Sequence, residues 1–158
     1  MVKILVLSDS HRNISNMHRA VEAEQPDLIF HLGDHYQDAR LLHSEYPDIP
    51  LEAVRGNCDG GNRNSEKLLT VEGKRIFLCH GHLYHVKSGY LTLAYAAREK
   101  QADVVLFGHT HLSFQDKQDG LYMMNPGSIG EPRDPGGPTY GLLFIEEGQI
   151  FTRVVTLR

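Results

Sequence analysis

The chain has 158 residues, of which 41% are hydrophobic and 23% are charged. This length is enough for one domain with its own core, and the composition excludes a disordered chain. Sixteen basic and twenty acidic residues give a net charge of −4 without a basic tract, which disfavours a dedicated nucleic-acid binder. The ten histidines are the unusual feature of the composition.

The cysteines and the apolar segments bear on the compartment. Cys58 and Cys79 are too few for a disulfide framework. The apolar run at residues 2–7 is too short for the core of a signal peptide, and no segment approaches the ~20 apolar residues that span a bilayer. We therefore expect a cytoplasmic protein without a membrane partner.

The first half of the chain alternates apolar runs with polar turns and helical patterns. Residues 4–8 predict a buried strand, and Asn13 predicts the cap of a helix. Residues 28–30 predict a second strand, 36–46 a polar helix, and 51–54 a third strand followed by another polar turn. Three strand–turn–helix units of this kind predict a βαβ core with functional groups at the carboxyl ends of its strands.

The second half contains more β structure. Segments 68–71 and 75–79 predict a hairpin, 88–101 a helix, 104–107 a buried strand, and Glu147-Gly148 the turn of a closing hairpin. A mixed α/β chain of this kind fits two sheets packed face to face with helices outside. We expect a single domain over residues 1–158.

Residues that commonly bind metals end five separate apolar segments: Asp9 and His11; Asp34; Asn57; His80; and His109 and His111. Strands of one sheet bring their ends to one rim, so we expect these side chains to converge there. Adjacent glycines let the backbone approach closely. A lone Asp after a strand is most often a turn former, and a lone His is most often structural. Seven such residues at five strand ends favour a metal site.

The side-chain types predict which metals bind. Four imidazoles, two carboxylates and an amide form a nitrogen–oxygen set that suits Mn, Fe, Ni, Co or Zn and disfavours Ca and Mg. Seven ligands are too many for one tetrahedral ion and suit two ions that share a bridging carboxylate. We predict two divalent transition-metal ions, with Mn the first choice, whose net positive charge attracts phosphate oxygens.

Five sequence blocks resemble, in order, those of the calcineurin-like metallophosphoesterase superfamily, above all its small prokaryotic single-domain phosphodiesterase branch. The blocks are Asp9-Ser10-His11, Gly33-Asp34, Gly56-Asn57-Cys58-Asp59, His80-Gly81-His82 and Gly108-His109-Thr110-His111, followed by the loop Asn125-Pro126-Gly127-Ser128. The resemblance covers nearly the whole chain. It implies an α/β fold of four layers (αββα), a two-sheet β-sandwich flanked by helices.

The resemblance also implies a role for each candidate ligand. Asp9, His11 and His111 resemble the ligands of a first metal ion. Asn57, His80 and His109 resemble those of a second, and Asp34 resembles the bridge between the two. The implied reaction is hydrolysis of a small phosphate ester through in-line attack by a metal-bridging hydroxide, without a Ser or Cys nucleophile.

Other residues beside the blocks have predicted roles. Cys58 stands where many phosphatases of the superfamily have His, and the small prokaryotic branch shares this Cys. Because a neutral thiol is a poor proton source, Cys58 favours a phosphodiesterase over an efficient monoesterase. His82 and Arg12 are candidates for contact with the substrate, although a solvated Arg at a helix start is equally consistent. Asp59 either orients its loop or is a simple turn residue.

Three further residues have weaker assignments. Asn125 and Ser128 either support the site or form a structural turn, and His31 is interpreted as a surface or packing residue.

Two alternative functions are compatible with the same fold. One is a non-catalytic protein-binding scaffold like the eukaryotic retromer subunit, which is depleted in the histidine ligands. The other is a small nuclease, whose relatives carry extra domains. Here all seven ligand positions are filled and the chain is short and acidic, so the phosphodiesterase is preferred. The sequence does not indicate the physiological substrate, and self-association into a homo-oligomer stays open.

Overall fold

The computed structural model describes residues 1–60 and 64–158. These residues contain ten strands and three α-helices. The first half contains β1 (Val2–Leu7), α1 (Ile14–Glu24), β2 (Leu28–His31), α2 (Tyr36–Glu45), β3 (Leu51–Ala53), β4 (Glu66–Val71) and β5 (Lys74–Cys79). Two 3₁₀ turns (His82–Tyr84 and Val86–Ser88) lead to α3 (Leu91–Glu99), β6 (Val104–Leu106), β7 (Ser113–Gln118), β8 (Leu121–Pro126), β9 (Thr139–Glu146) and β10 (Gln149–Thr156). None of the helices in these ranges is long and apolar enough to cross a membrane.

The strands form two mixed sheets of five strands each. Their orders are β10-β9-β1-β2-β3 and β4-β5-β6-β8-β7. In the first sheet β1, β2 and β3 are parallel, since α1 and α2 return the chain between them. In the second sheet β5, β6 and β8 are parallel. The parallel strands at the centre of each sheet therefore present their carboxyl ends in one direction within that sheet.

The apolar core explains why the two sheets stack. Along β1, Ile4 and Val6 face the second sheet, whereas Leu5 and Leu7 pack against α1 and α2. Strand β5 follows the same rule, because its alternate residues contribute to the core between the sheets and to the core under α3. Both strands place apolar residues on both faces, as strands covered on both sides must. The four predicted layers, helix, sheet, sheet and helix, are confirmed.

Two details of the sequence-based prediction are wrong. Strand β3 does not begin a third strand–turn–helix unit, because the described residues between β3 and β4 contain turns and bends and no helix. Asp59 holds the start of this segment by accepting hydrogen bonds from the backbone N–H groups of Tyr36 and Gly56. The predicted helix at 88–101 begins only at Leu91 and ends at Glu99, because Gly89 has a φ of 139°, outside the helical region.

Candidate metal centre

The candidate ligands lie at one end of the sandwich. Asp9 and His11 follow β1, Asp34 follows β2, Asn57 follows β3, His80 follows β5, and His109 and His111 follow β6. These strands belong to both sheets, so the site joins the two sheets instead of occupying the rim of one sheet, as the sequence had led us to expect. Six of the seven side chains approach one another closely, and the strands that carry them come from both sheets.

The first cluster consists of Asp9, His11, Asp34 and His111, whose ligand atoms all lie within 4.8 Å of one another. Nε2 of His11 is 3.3 Å from Nε2 of His111 and 3.9 Å from Oδ2 of Asp34. Nε2 of His111 is 3.4 Å from Oδ1 of Asp9. The structure therefore brings together the three residues assigned to the first ion and the residue assigned to the bridge.

The second cluster is centred on His80, which is fully buried. Its Nε2 lies 3.2 Å from Nδ1 of His109 and 3.5 Å from Oδ1 of Asp34. Asn57 has an exposed side chain, and its amide nitrogen donates a hydrogen bond to Sγ of Cys58 at 3.7 Å. The backbone N–H of the next residue, Cys58, donates to Oδ1 of Asp34 at 3.0 Å, so the loop that carries Asn57 borders this cluster.

Backbone carbonyls fix the tautomers of two histidines. Nδ1 of His80 lies 2.8 Å from the carbonyl oxygen of Leu32, and Nδ1 of His111 contacts the carbonyl oxygen of Glu131. A carbonyl only accepts, so each Nδ1 carries a proton and each neutral ring presents a lone pair at Nε2. These lone pairs face Oδ1 of Asp9, a buried atom that has no hydrogen-bond partner among the described residues. Lone pairs that face a carboxylate oxygen in this way fit a bound cation.

The electrostatics of the cluster keep its carboxylates ionised. Burial raises the pKa values of Asp9 and Asp34, but the adjacent His111 and His80, together with hydrogen bonds from Ser8 to Asp9 and from the backbone of Cys58 to Asp34, outweigh it and lower both. Burial lowers the pKa of His80, whereas Asp34 and Asp9 raise it overall. Burial and the charge of His80 lower the pKa of His109 to about 4. Anionic carboxylates and a neutral His109 are the protonation states that metal ligation requires.

The ligand loops have an unusual backbone. Five of the seven candidates have a φ between 44° and 73°, in the left-handed region that non-glycine residues seldom adopt: Asp9, His11, Asp34, His109 and His111. Such conformations cluster at ligand-binding sites, where surrounding contacts hold them. The turns also need close approach, since a Cβ atom at Gly56 would lie 2.2 Å from Oδ1 of Asp34.

A buried hydrogen-bond network supports the loops, and sequence reasoning missed it. The backbone N–H of Gly33 donates to Nδ1 of His31 at 3.2 Å, so Nε2–H of His31 donates to Oγ of Ser10 at 2.9 Å. Ser10 in turn donates to Oδ2 of Asp38 at 2.7 Å, which also accepts the backbone N–H of Arg12. The network ties the loop after β1, the loop after β2 and the first turn of α2 into one unit.

The neighbouring predicted residues divide into supporting and exposed groups. Asn125 donates to the carbonyl of Gly108 at 3.1 Å, and Ser128 donates to the carbonyl of Asp9 at 2.7 Å, so both support the ligand loops. Asp59 holds its own loop, as described above. Arg12 is exposed, and its backbone N–H donates to Oδ2 of Asp38.

Cys58 and His82 border the second cluster. The backbone N–H of Cys58 donates to Oδ1 of Asp34 at 3.0 Å, and burial together with Asp34 raises the pKa of its thiol to about 11. The ring of His82 lies with its centroid 5.5 Å from that of His80, and burial and the charge of His80 lower its pKa. Both side chains are therefore neutral groups beside the candidate ligands.

The family model of the calcineurin-like phosphoesterase superfamily domain matches residues 2–148. The chain belongs to the calcineurin-like phosphoesterase superfamily. Within that superfamily it is 37% identical over 150 residues to the probable metallophosphoesterase YsnB of Bacillus subtilis, covering 92% of this chain and 85% of YsnB. It is 32% identical over 102 residues to the phosphodiesterase YfcE of Escherichia coli, covering 58% of this chain and 50% of YfcE.

Solved structures agree with this assignment. A conserved Streptococcus pneumoniae protein described as a predicted phosphoesterase matches with a TM-score of 0.83 and 25% identity, covering 98% of this chain and 89% of that one. Vps29 of Entamoeba histolytica, complexed with zinc, matches with a TM-score of 0.73 and 19% identity, covering 99% of both chains, a likeness that shows the fold alone. The family and fold predicted from the sequence are confirmed.

Proposed function

We propose that the chain is a phosphodiesterase that works with two divalent transition-metal ions, with Mn the first choice. The observation that carries the proposal is the orientation of Asp34. Its Oδ2 lies 3.9 Å from Nε2 of His11, and its Oδ1 lies 3.5 Å from Nε2 of His80. A carboxylate with one oxygen toward each histidine cluster is suited to bridge two ions.

The remaining candidates divide between the two positions. Asp9, His11 and His111 would hold the first ion, and His80, His109 and Asn57 the second. Such a pair, when bound, would supply Lewis-acid chemistry for the attack of hydroxide on phosphorus and positive charge for the phosphate oxygens. The nitrogen-rich donor set favours Mn, Fe, Ni, Co or Zn over Mg and Ca.

The environment of the second cluster favours a diester over a monoester. A monoester dianion builds more negative charge on its leaving oxygen and depends more on a proton donor or cation there. Cys58 offers a thiol whose pKa is raised to about 11, which is a weak proton source near neutral pH. His82 and the exposed Arg12 are the chain's candidates for contact with the phosphate ester. Support also comes from YfcE, which is described as a phosphodiesterase.

The other functional predictions have less support. The likeness to Vps29 concerns the fold alone, and the seven ligand positions here all carry side chains that can bind metal, so we do not propose a scaffold. The net charge of −4 disfavours a nuclease. We keep a small phosphate ester as the expected partner and the cytoplasm as the expected compartment, where the exposed free thiol of Cys58 would stay reduced.

Metal reconstitution tests the proposal. Protein treated with a chelator should not hydrolyse bis(4-nitrophenyl) phosphate, and Mn should restore the activity far better than Mg or Ca. His109→Ala should abolish most of the restored activity, whereas His43→Ala, a change at an exposed position of α2, should leave it intact. Full activity in Mg with transition metals excluded, or no hydrolysis with any transition metal, would contradict the proposal.

A further inference from the structure

A small pocket lies against the loop that carries His109 and His111. It has a volume of about 220 Å³ and is lined by Val86, Lys87, Tyr90, Thr110, Leu112 and Arg133. Thr110 lies in the chain between His109 and His111, so the pocket and the metal centre share one loop. The backbone N–H of Arg133 donates to the carbonyl of His111 at 2.9 Å, which fixes a second wall of the pocket to the same loop.

The pocket is cationic. Lys87 and Arg133 are exposed, and no ion pair among the described residues uses either of them. Lys87 follows the buried Val86 on one wall, and the backbone of Arg133 is bonded to His111 on another, so two positive charges line the same pocket.

Part of the wall between the two cations is formed by the apolar side chains of Val86, Tyr90 and Leu112. Val86 is buried, and the half-buried ring of Tyr90 packs against Phe107 and Phe114 with centroid distances of 5.0 and 4.5 Å. A volume of 220 Å³ is below the roughly 300–1,000 Å³ of complete small-molecule sites. The pocket is therefore suited to one part of a molecule whose remainder occupies the neighbouring metal centre.

We propose that this pocket, which we call the Lys87–Arg133 pocket, binds a terminal phosphate of a diester substrate while the scissile phosphate lies at the metal centre. A terminal phosphate is close to a dianion at neutral pH, and a lysine with an arginine provides charge-assisted hydrogen bonds to it. The apolar side chains of Val86, Tyr90 and Leu112 suit the organic group that joins the two phosphates. The inference rests on the proposed function and narrows its substrate to organic phosphodiesters that carry a terminal phosphate.

A matched pair of substrates tests the pocket. The dinucleotide thymidylyl-thymidine (TpT) and its 5′-phosphorylated form (pTpT) contain the same scissile diester. With Mn-loaded protein we expect kcat/KM to be at least about tenfold higher for pTpT, the effect of one charge-assisted hydrogen bond. The double variant Lys87→Gln/Arg133→Gln should lose this preference and keep its TpT rate. The control Lys117→Gln, at an exposed position of β7, should retain the preference.

A binding measurement separates this inference from the proposed function. Thymidine 3′,5′-bisphosphate added to metal-free protein should shift the amide NMR signals of Thr110 and Leu112, and the double variant should show no shift. Equal kcat/KM for TpT and pTpT in the wild type would overturn the pocket while leaving the phosphodiesterase intact. If neither dinucleotide is cleaved, an absence of NMR shifts in the wild type would overturn the pocket, and shifts lost in the double variant would support it.

Discussion

Ser10 is the residue through which the supporting network can be tested most cleanly. Its hydroxyl accepts from Nε2–H of His31 and donates to Asp38, and all three side chains are buried. Ser10→Ala leaves the Nε2–H of His31 without an acceptor and leaves Asp38 with the backbone N–H of Arg12. A buried unsatisfied donor costs about 1–3 kcal/mol. We therefore expect the free energy of unfolding to fall by about 2 kcal/mol.

Urea denaturation of metal-free protein measures this loss. Ser44→Ala is the matched control, because Ser44 is exposed in α2 and its hydroxyl bonds only to its own helix. The control should lie within about 0.5 kcal/mol of the wild type. Ser10→Ala should also bind Mn more weakly, since the network joins the loops that carry candidate ligands. An unfolding free energy equal to that of Ser44→Ala would show that the network contributes no stability.

Three further predictions concern pH, specificity and packing. Burial lowers the pKa of His31 from 6.5 to about 4. The neutral ring therefore contributes its full share of folding stability above pH 6.5, and about 3 kcal/mol of stability is lost as the pH falls toward 4. His31→Gln should show a shallower decline in thermal stability over this pH range, and equal slopes in the variant and the wild type would refute the assignment. Cys58→His should raise kcat/KM for 4-nitrophenyl phosphate relative to kcat/KM for bis(4-nitrophenyl) phosphate, by less than the roughly 10²–10⁴-fold that tuned acid–base catalysis contributes. An unchanged ratio of the two kcat/KM values in a variant that still binds both metals would contradict this role of Cys58. Gly108→Ala should lower the free energy of unfolding by about 1–3 kcal/mol, because the added Cβ would lie 2.0 Å from Oγ of Ser8. Gly136→Ala should be nearly neutral in the same denaturation assay, because the nearest atom to its added Cβ would be 3.7 Å away.

The sequence predicts those features of the fold that depend on local pattern. The apolar run of β1 indicates a strand covered on both faces, and the structure packs alternate residues of that strand into two cores. Asn13 is the predicted cap of α1, and its Oδ1 accepts the backbone N–H of Asn16 at 3.0 Å. The candidate ligands are visible because polar motifs interrupt apolar runs abruptly. The sequence does not predict the left-handed backbone of these residues, although the glycines beside several of them indicate tight turns.

Features that depend on distant contacts could not be read from the sequence. Which sheet each ligand strand joins is decided by pairing between strands far apart in the chain, such as β1 with β9. The role of His31 is a second example, because a histidine at a strand end gives no sign of Ser10 and Asp38 on neighbouring elements. The segment after β3 is a third example. Its polar turn resembles the start of a helix unit, but Asp59 binds the backbone of Tyr36 and Gly56, and Tyr36 is distant in the sequence.

The metal content of the Asp34→Ala variant tests the central claim most directly. Asp34 turns a different carboxylate oxygen toward each histidine cluster, whereas Asp9 meets His80 and His111 with the same oxygen, so the loss of Asp34 removes a ligand from both proposed ions. Protein reconstituted with Mn and freed of excess metal should contain two ions per chain in the wild type and in the control Asp116→Ala, an exposed position of β7. Asp34→Ala should contain one ion or none. A single ion in the wild type, or two ions retained by Asp34→Ala, would contradict a two-metal centre bridged by Asp34.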